Sequence, residues 1–181
     1  MVRITAVSVV ELVRRAREGD REAFGLLVDR HAPMVRRICR AVLRHPEDAD
    51  DAAQDAFLSA WNGLPRFDPR EAFLPWLARI AMNAARDVRR RRRVRDAEEI
   101  PTDLASRAPG PDTAAHAALL RERMDGAMQG LTERQRVALV LYEVEGYSHA
   151  EVAEVLGVPE GTARSDVFHA KRRLRPLLGR E

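Results

Sequence analysis

Apolar residues recur at helical spacing along two stretches, Ser8 to Val94 and Ala114 to Leu178, and no period-two alternation runs long enough to make a strand. The first stretch reads as four helices if a break at Pro33 is counted. Asp20 caps a helix carrying Phe24, Leu27 and Val28, which continues through Val35, Ile38 and Val42 with a break or kink open at Pro33. His45-Pro46 ends that element. Ala49 to Trp61 forms the next helix, closed by Asn62-Gly63, and Leu64 to Arg70 reads as a loop holding Pro65 and Pro69. Glu71 to Arg93 makes a long final helix, with Pro75 tolerated in its first turn.

In the second stretch a helix is predicted from Ala114 to Gln129. Thr132 with Gln135 has capping-box spacing and opens a helix to about Glu145. Ser148 with Glu151 repeats the spacing and opens a short helix to Leu156, closed by Gly157. Pro159, Gly161 and Thr162 then start a basic helix running to Leu178. A short helix, a tight Gly-containing turn and a second helix rich in Arg form a helix-turn-helix. Between the two stretches, Asp96 to Thr113 carries Pro101, Pro109, Gly110 and Pro111 and almost no large apolar residue, which marks a linker. The expected fold is all-α, with two small helical domains at 1–95 and 114–181 joined by a flexible linker at 96–113.

Composition narrows the class. The net charge is only +3, but the sequence pI is about 9.7, and Lys171 is the sole lysine among 31 basic residues. Guanidinium groups suit bidentate contacts to phosphate and guanine. Cys39 stands alone, which rules out an intrachain disulfide and fits a reducing compartment. Met1 to Val10 does not suit a signal peptide, and no run approaches transmembrane length. A soluble, cytoplasmic protein is expected, with no membrane insertion.

Three stripes carry candidate chemistry. On the helix Ala49–Trp61, Ala49, Ala53, Ala56, Phe57 and Ala60 share one face, and Asp48, Asp51 and Asp55 lie opposite, with Gln54 and Leu58 beside them. An acidic stripe with an exposed Leu suits a protein-docking surface. A solvated face favoured by the helix dipole accounts for the same pattern. On the helix Glu71–Arg93, the residues Arg79, Asn83, Arg86, Arg90 and Arg93 share a stripe, Leu77, Ile80, Ala84 and Val88 face away from it, and Trp76 sits at its edge. Arginines with one amide and one aromatic suit phosphate binding with base stacking. The dense block Arg89–Arg93 self-repels, so a polyanion partner accounts for it better than a solvated face. On the last helix, Thr162, Arg164 and Ser165 occupy the first turns, where recognition helices touch base edges, followed by His169, Lys171, Arg172 and Arg175. Val167, Ala170, Leu174 and Leu178 are its buried positions, and Phe168 fits either the core or a thymine-methyl contact.

His31, Cys39 and His45 do not have the spacing of a ligand set, and the acidic stripe has no His at ligand spacing, so no metal is expected. No nucleophile–base constellation, Gly-rich phosphate loop or CxxC occurs, so no catalytic residues and no cofactor are expected.

Three segments, in order, resemble one family. Asp48-Ala-Asp-Asp-Ala-Ala-Gln-Asp-Ala-Phe-Leu-Ser-Ala-Trp61 resembles the region of bacterial sigma factors that grips the RNA polymerase core. Phe73-Leu-Pro-Trp-Leu-Ala-Arg-Ile-Ala-Met-Asn83 resembles their promoter −10 segment, and Gly161-Thr-Ala-Arg-Ser165 their −35 recognition helix. The chain is identified, over about 20–178, as similar to the extracytoplasmic-function (group IV) sigma factors of the sigma-70 family. That resemblance implies an alternative sigma factor with bacterial core RNA polymerase (its β′ clamp and β flap), promoter DNA and an anti-sigma factor as partners. It implies that Asp48, Asp51, Gln54, Asp55 and Leu58 dock on the clamp coiled coil. Trp76 and Asn83 would open the −10 element and capture a flipped base, with Arg79, Arg86 and Arg90 on the backbone. Thr162, Arg164, Ser165, Phe168, His169, Lys171 and Arg172 would serve the −35 element, and the linker would thread toward the polymerase active-site channel.

Three positions depart from the pattern. Asp166 stands where a basic residue is common, and a carboxylate near phosphates is repulsive. His169 stands where Arg is common, which weakens guanine readout. Pro75 replaces a small polar residue and stiffens the segment before Trp76. Two other classes compete: a helix-turn-helix regulator acting without polymerase, which would need no acidic docking stripe, and an enzyme targeted to DNA, which the missing catalytic residues disfavour.

Overall fold

The computed structural model describes residues 7–43, 45–98, 126 and 128–177; the side chains of 95–98 and 177 lie outside that description. All regular structure among these residues is helical. The chain divides into two compact units, Met1–Val88 and Arg89–Glu181.

In the first unit, α1 (Val9–Arg17) is capped by Ser8, whose hydroxyl accepts from the Glu11 N–H. α2 (Arg21–Leu43) begins at the expected cap: Asp20 accepts from the Ala23 N–H at 3.0 Å while Arg15 holds its other oxygen. Pro33 does not break α2, which runs uninterrupted through it. The proline lies on the exposed side of the helix, away from the packed core. α3 (Pro46–Gly63) starts three residues earlier than expected, because Pro46 with its fixed φ opens the helix as well as ending the segment before it. A 3₁₀ turn (Leu64–Arg66) and a short loop lead to α4 (Phe73–Glu98), with Pro75 in the first turn as expected; its residues up to Val88 belong to this unit.

The core of this unit joins Leu12 of α1 with Leu27, Val35, Ile38 and Val42 of α2 and Leu77, Ala81 and Met82 of α4, all buried. α3 contributes Ala49, Ala52, Ala53, Ala56 and Ala60, whose small side chains allow close helix approach. The Cys39 thiol is fully buried and donates to the Ala81 carbonyl at 3.7 Å; burial, aided by the Asp50 carboxylate, pushes its pKa up to about 12. It is an inert packing group.

In the second unit, the expected helix Ala114–Gln129 lies almost wholly outside the described residues. α5 (Glu133–Leu139) opens with the Thr132/Gln135 capping box and continues as a π-helical turn (Val140–Val144). α6 (His149–Leu156) opens with the Ser148/Glu151 box and ends at Gly157, whose φ of 66° is the left-handed cap that favours glycine. α7 (Glu160–Leu174) follows and passes into a 3₁₀ turn, Arg175–Leu177; Leu178 lies outside the described residues. Val137, Leu141, Val152, Val155 and Val167 are buried, and Leu131, Leu139, Ala170 and Leu174 form a further apolar cluster.

Candidate nucleic-acid and polymerase interfaces

α3 presents the acidic stripe outward. Asp51 and Gln54 are exposed, Asp48 and Asp55 half-buried, and Leu58 is 63% exposed despite being apolar. Phe57 was expected inside and is half-buried; Ala52 takes the inward place. At 100° per residue, Phe57 lies about 80° from Ala49, at the margin of the buried arc, whereas Ala52 lies within it. Next to the stripe, Asp50 faces Arg36 at 3.6 Å and Arg40 at 3.9 Å on α2. Those arginines were not foreseen, since their nearness to α3 depends on how the two helices pack.

A cavity of about 400 Å³ opens beside α4, lined by Arg66, Phe67, Asp68 and Glu71 before the helix and Trp76, Arg79, Ile80 and Asn83 on it. It brings Trp76, Arg79 and Asn83 together; Arg86, half-buried, and Arg90, exposed, lie farther along the helix outside the lining. Trp76 is set by its surroundings. Its ring packs on Phe67 at 4.9 Å and on Phe73 at 5.7 Å. Gly63 lies so close that a Cβ there would stand 3.3 Å from the indole. Arg79 is held by Glu71 at 2.8 Å, and Asp68 accepts from the Arg70 N–H at 3.0 Å, shaping the loop at the rim. The rim residues Arg66, Phe67, Asp68 and Glu71 were missed because they lie in an irregular segment with no periodicity to place them. Ile80 was expected to face the core and instead lines the cavity, while Val88 is only half-buried. Leu77 and Ala84 are buried as expected, and Ala78, Ala81, Met82 and Ala85 complete the inward face of α4, where alanine gives a weak periodic signal.

α7 is the second helix of the helix-turn-helix. Arg164, Ser165, Phe168, His169, Lys171 and Arg172 are exposed, and Thr162 is half-buried in the first turn. Phe168 is 60% exposed and shares the outward face with Arg164 and Ser165, which removes it from the core. Its ring meets His169 edge-on at 5.7 Å. Two of the cations already have acidic partners: Arg164 donates to Glu160 at 2.8 Å, and Lys171 to Glu143 at 2.7 Å with the Tyr142 ring 5.7 Å away. Tyr142 in turn stacks on His149 at 4.3 Å.

Asp166, expected to stand near phosphates, turns inward instead. Its side chain is only 6% exposed and points inward, where Arg134 of α5 donates to both oxygens at 2.5 and 3.3 Å. Two residues on from Arg164, it falls about 200° round the helix, on the buried arc with Ala163, Val167 and Ala170.

Sequence comparison decides the family. A model of sigma-70 region 2 matches residues 27–95, and one of sigma-70 region 4 matches residues 121–174. The chain belongs to the sigma-70 family. It is 37% identical over 172 residues to the RNA polymerase sigma factor NccH of Alcaligenes xylosoxydans xylosoxydans, covering 92% of each chain. It is 41% identical over 175 residues to the ECF RNA polymerase sigma factor SigM of Mycobacterium tuberculosis, covering 95% of this chain and 85% of SigM. Among solved structures, CnrH in complex with the cytosolic domain of CnrY superposes with a TM-score of 0.71 at 30% identity, covering 93% of this chain and 96% of CnrH. The sigma factor RpoE in complex with the anti-sigma factor NepR from Bartonella quintana superposes with a TM-score of 0.67 at 26% identity, covering 86% and 96%. The protein is thus an alternative, extracytoplasmic-function sigma factor, a transcription initiation factor and not an enzyme. No helix among the described residues is long and apolar enough to cross a membrane. Among those residues, no cluster of three or more His, Cys, Asp or Glu is placed to hold a metal ion.

Proposed function

We propose that the three surfaces divide the work of promoter recognition between them. Asp48, Asp51, Gln54, Asp55 and Leu58 dock on the β′ clamp of core polymerase, with the apolar Leu58 at the edge of an otherwise acidic face. The cavity beside α4 receives a base extruded from the −10 element. Trp76 offers a stacking face, Asn83 both a donor and an acceptor, and Arg79, Arg86 and Arg90 meet the backbone. Extrusion costs a few kcal/mol, and stacking on an aromatic returns about 1–3 kcal/mol per base. Thr162, Arg164, Ser165, Phe168, His169 and Arg172 read the −35 major groove; Lys171 joins them by exchanging Glu143 for a phosphate.

The observation that carries this reading is the cavity. It joins Trp76, Arg79 and Asn83 in one concave site of about 400 Å³, roomy enough for a nucleobase. The family matches, which stop at 95 and resume at 121, support the division into 1–95, a linker at 96–113 and 114–181. In this reading the linker runs toward the polymerase active-site channel and the β flap holds the second domain. CnrH is found with the cytosolic domain of CnrY and RpoE with the anti-sigma factor NepR, which supports an anti-sigma partner for this chain and a cytoplasmic site of action.

The test is co-purification of the full chain with bacterial core RNA polymerase, followed by run-off transcription from the DNA upstream of its own gene. Stable association with initiation at one start site is the expected result. Duplex binding without polymerase association would replace this reading with that of a stand-alone regulator.

A further inference from the structure

Asp166 is one of three buried polar or charged residues among those described, and it lies on the helix assigned to the −35 element. An ion removed from water must be compensated, and a buried carboxylate with one good partner depends on that partner. Arg134 supplies it through two donors from the start of α5, in the fork geometry that fixes both position and direction. Arg134 itself remains half exposed, so the pair spans from the surface to the interior of the second unit. Apolar contacts along the same interface, through Val167, Ala170 and Leu174, are non-directional and tolerate rotation of α7 about its axis. The ion pair does not, because turning α7 by a fraction of a residue would pull the carboxylate off the guanidinium.

We propose that Arg134 and Asp166 are positioning residues that set the rotation of α7, and with it the direction in which Arg164, Ser165 and Phe168 meet the bases. This rests on the −35 reading of α7. The inverted charge at 166 is then a specificity device and leaves phosphate contacts untouched, because the carboxylate faces away from the outward arc.

The experiment uses the full chain and measures affinity for a duplex carrying its −35 element and for an unrelated duplex, across a salt series, with the unfolding temperature of each variant recorded. Asp166→Asn keeps the shape and removes the charge. Loss of one well-aligned base contact predicts about a tenfold fall in the −35-to-unrelated affinity ratio, with the salt slope unchanged. Arg134→Ala should act in the same direction. The exchange Arg134→Asp with Asp166→Arg restores the pair in opposite polarity and should recover most of the ratio, which separates positioning from general loss of folding. A gain in affinity for both duplexes with Asp166→Asn, with the slope steepened by about one, would mean that the carboxylate opposes phosphates, and would overturn the proposal. An exchange variant that folds yet discriminates no better than the single variants would also overturn it. Failure of the unmodified chain to prefer its −35 duplex would overturn the −35 reading itself, and this inference with it.

Discussion

Asn83 sits on the wall of the cavity, about two turns along α4 from Trp76, with its amide exposed and flanked by Ile80 and Arg79. An amide can donate and accept at once, which suits the edge of an unpaired base and offers little to an intact duplex there. Asn83→Ala should therefore slow −10 opening by roughly tenfold, measured by permanganate reactivity of unpaired thymines, while affinity for closed duplex changes little. Equal losses in both would remove the base-capture role. His31 belongs to the buried part of the first unit. It is 8% exposed, its ring lies 6.0 Å from that of Phe73, and its Nε2 is buried without a hydrogen-bond partner. Desolvation, with a smaller contribution from Arg30, lowers its pKa below the ordinary value. The unfolded chain thus binds the proton more readily than the folded one. The stability this confers is complete above the unfolded value of about 6.5 and declines as pH falls toward the folded one. The unfolding temperature should drop between pH 7 and pH 5, and His31→Met should lessen that drop.

At the scale of elements, local chemistry sets the boundaries and packing sets the faces. The two capping boxes lie where Ser/Thr–x–x–Glu/Gln spacing put them, because each closes within four residues and needs nothing from the rest of the fold. Ser148→Ala should lower stability by about 1 kcal/mol, read from thermal unfolding, by loosening the entry to α6. The π-helical turn Val140–Val144 was not foreseen; helical spacing alone extends α5 regularly to Glu145. At this turn Glu143 meets Lys171 and Tyr142 meets His149. Both members of the Glu143–Lys171 pair are half exposed, so the pair itself adds little stability. Its effect should appear in binding: Glu143→Gln removes the anion that Lys171 must leave and should raise −35 affinity severalfold, whereas Lys171→Gln should flatten the salt slope by about 0.9, the value of one phosphate contact. An unchanged slope would mean that Lys171 does not reach the DNA backbone.

Over the whole molecule, opposite charges are kept on separate surfaces: an acidic face on α3 and arginine-rich faces on α4 and α7. The net charge of +3 conceals this separation. Under the proposed assignment, this separation suits a chain that must meet a protein on one surface and a nucleic acid on another, since each surface repels the other's partner. Asp51→Arg together with Asp55→Arg should reduce co-purification with core polymerase at least a hundredfold, by placing cations where the docking reading needs anions. Binding of the −35 duplex by the same full-length variant should persist. Normal association with polymerase would remove α3 from the docking surface.

Helix type, the caps at Asp20, Thr132 and Ser148, the glycine stop at Gly157 and the outward acidic and basic stripes were legible in the sequence. Each depends on spacing within one or two turns, and the family signature lies in those same local segments. The cavity wall from Arg66 to Glu71, the inward turn of Asp166 toward Arg134, the exposure of Phe168 and the margin positions of Ile80 and Phe57 were decided only by the tertiary structure. Those features depend on which face meets a neighbouring helix, and packing geometry settles what alanine-rich faces and irregular loops leave open.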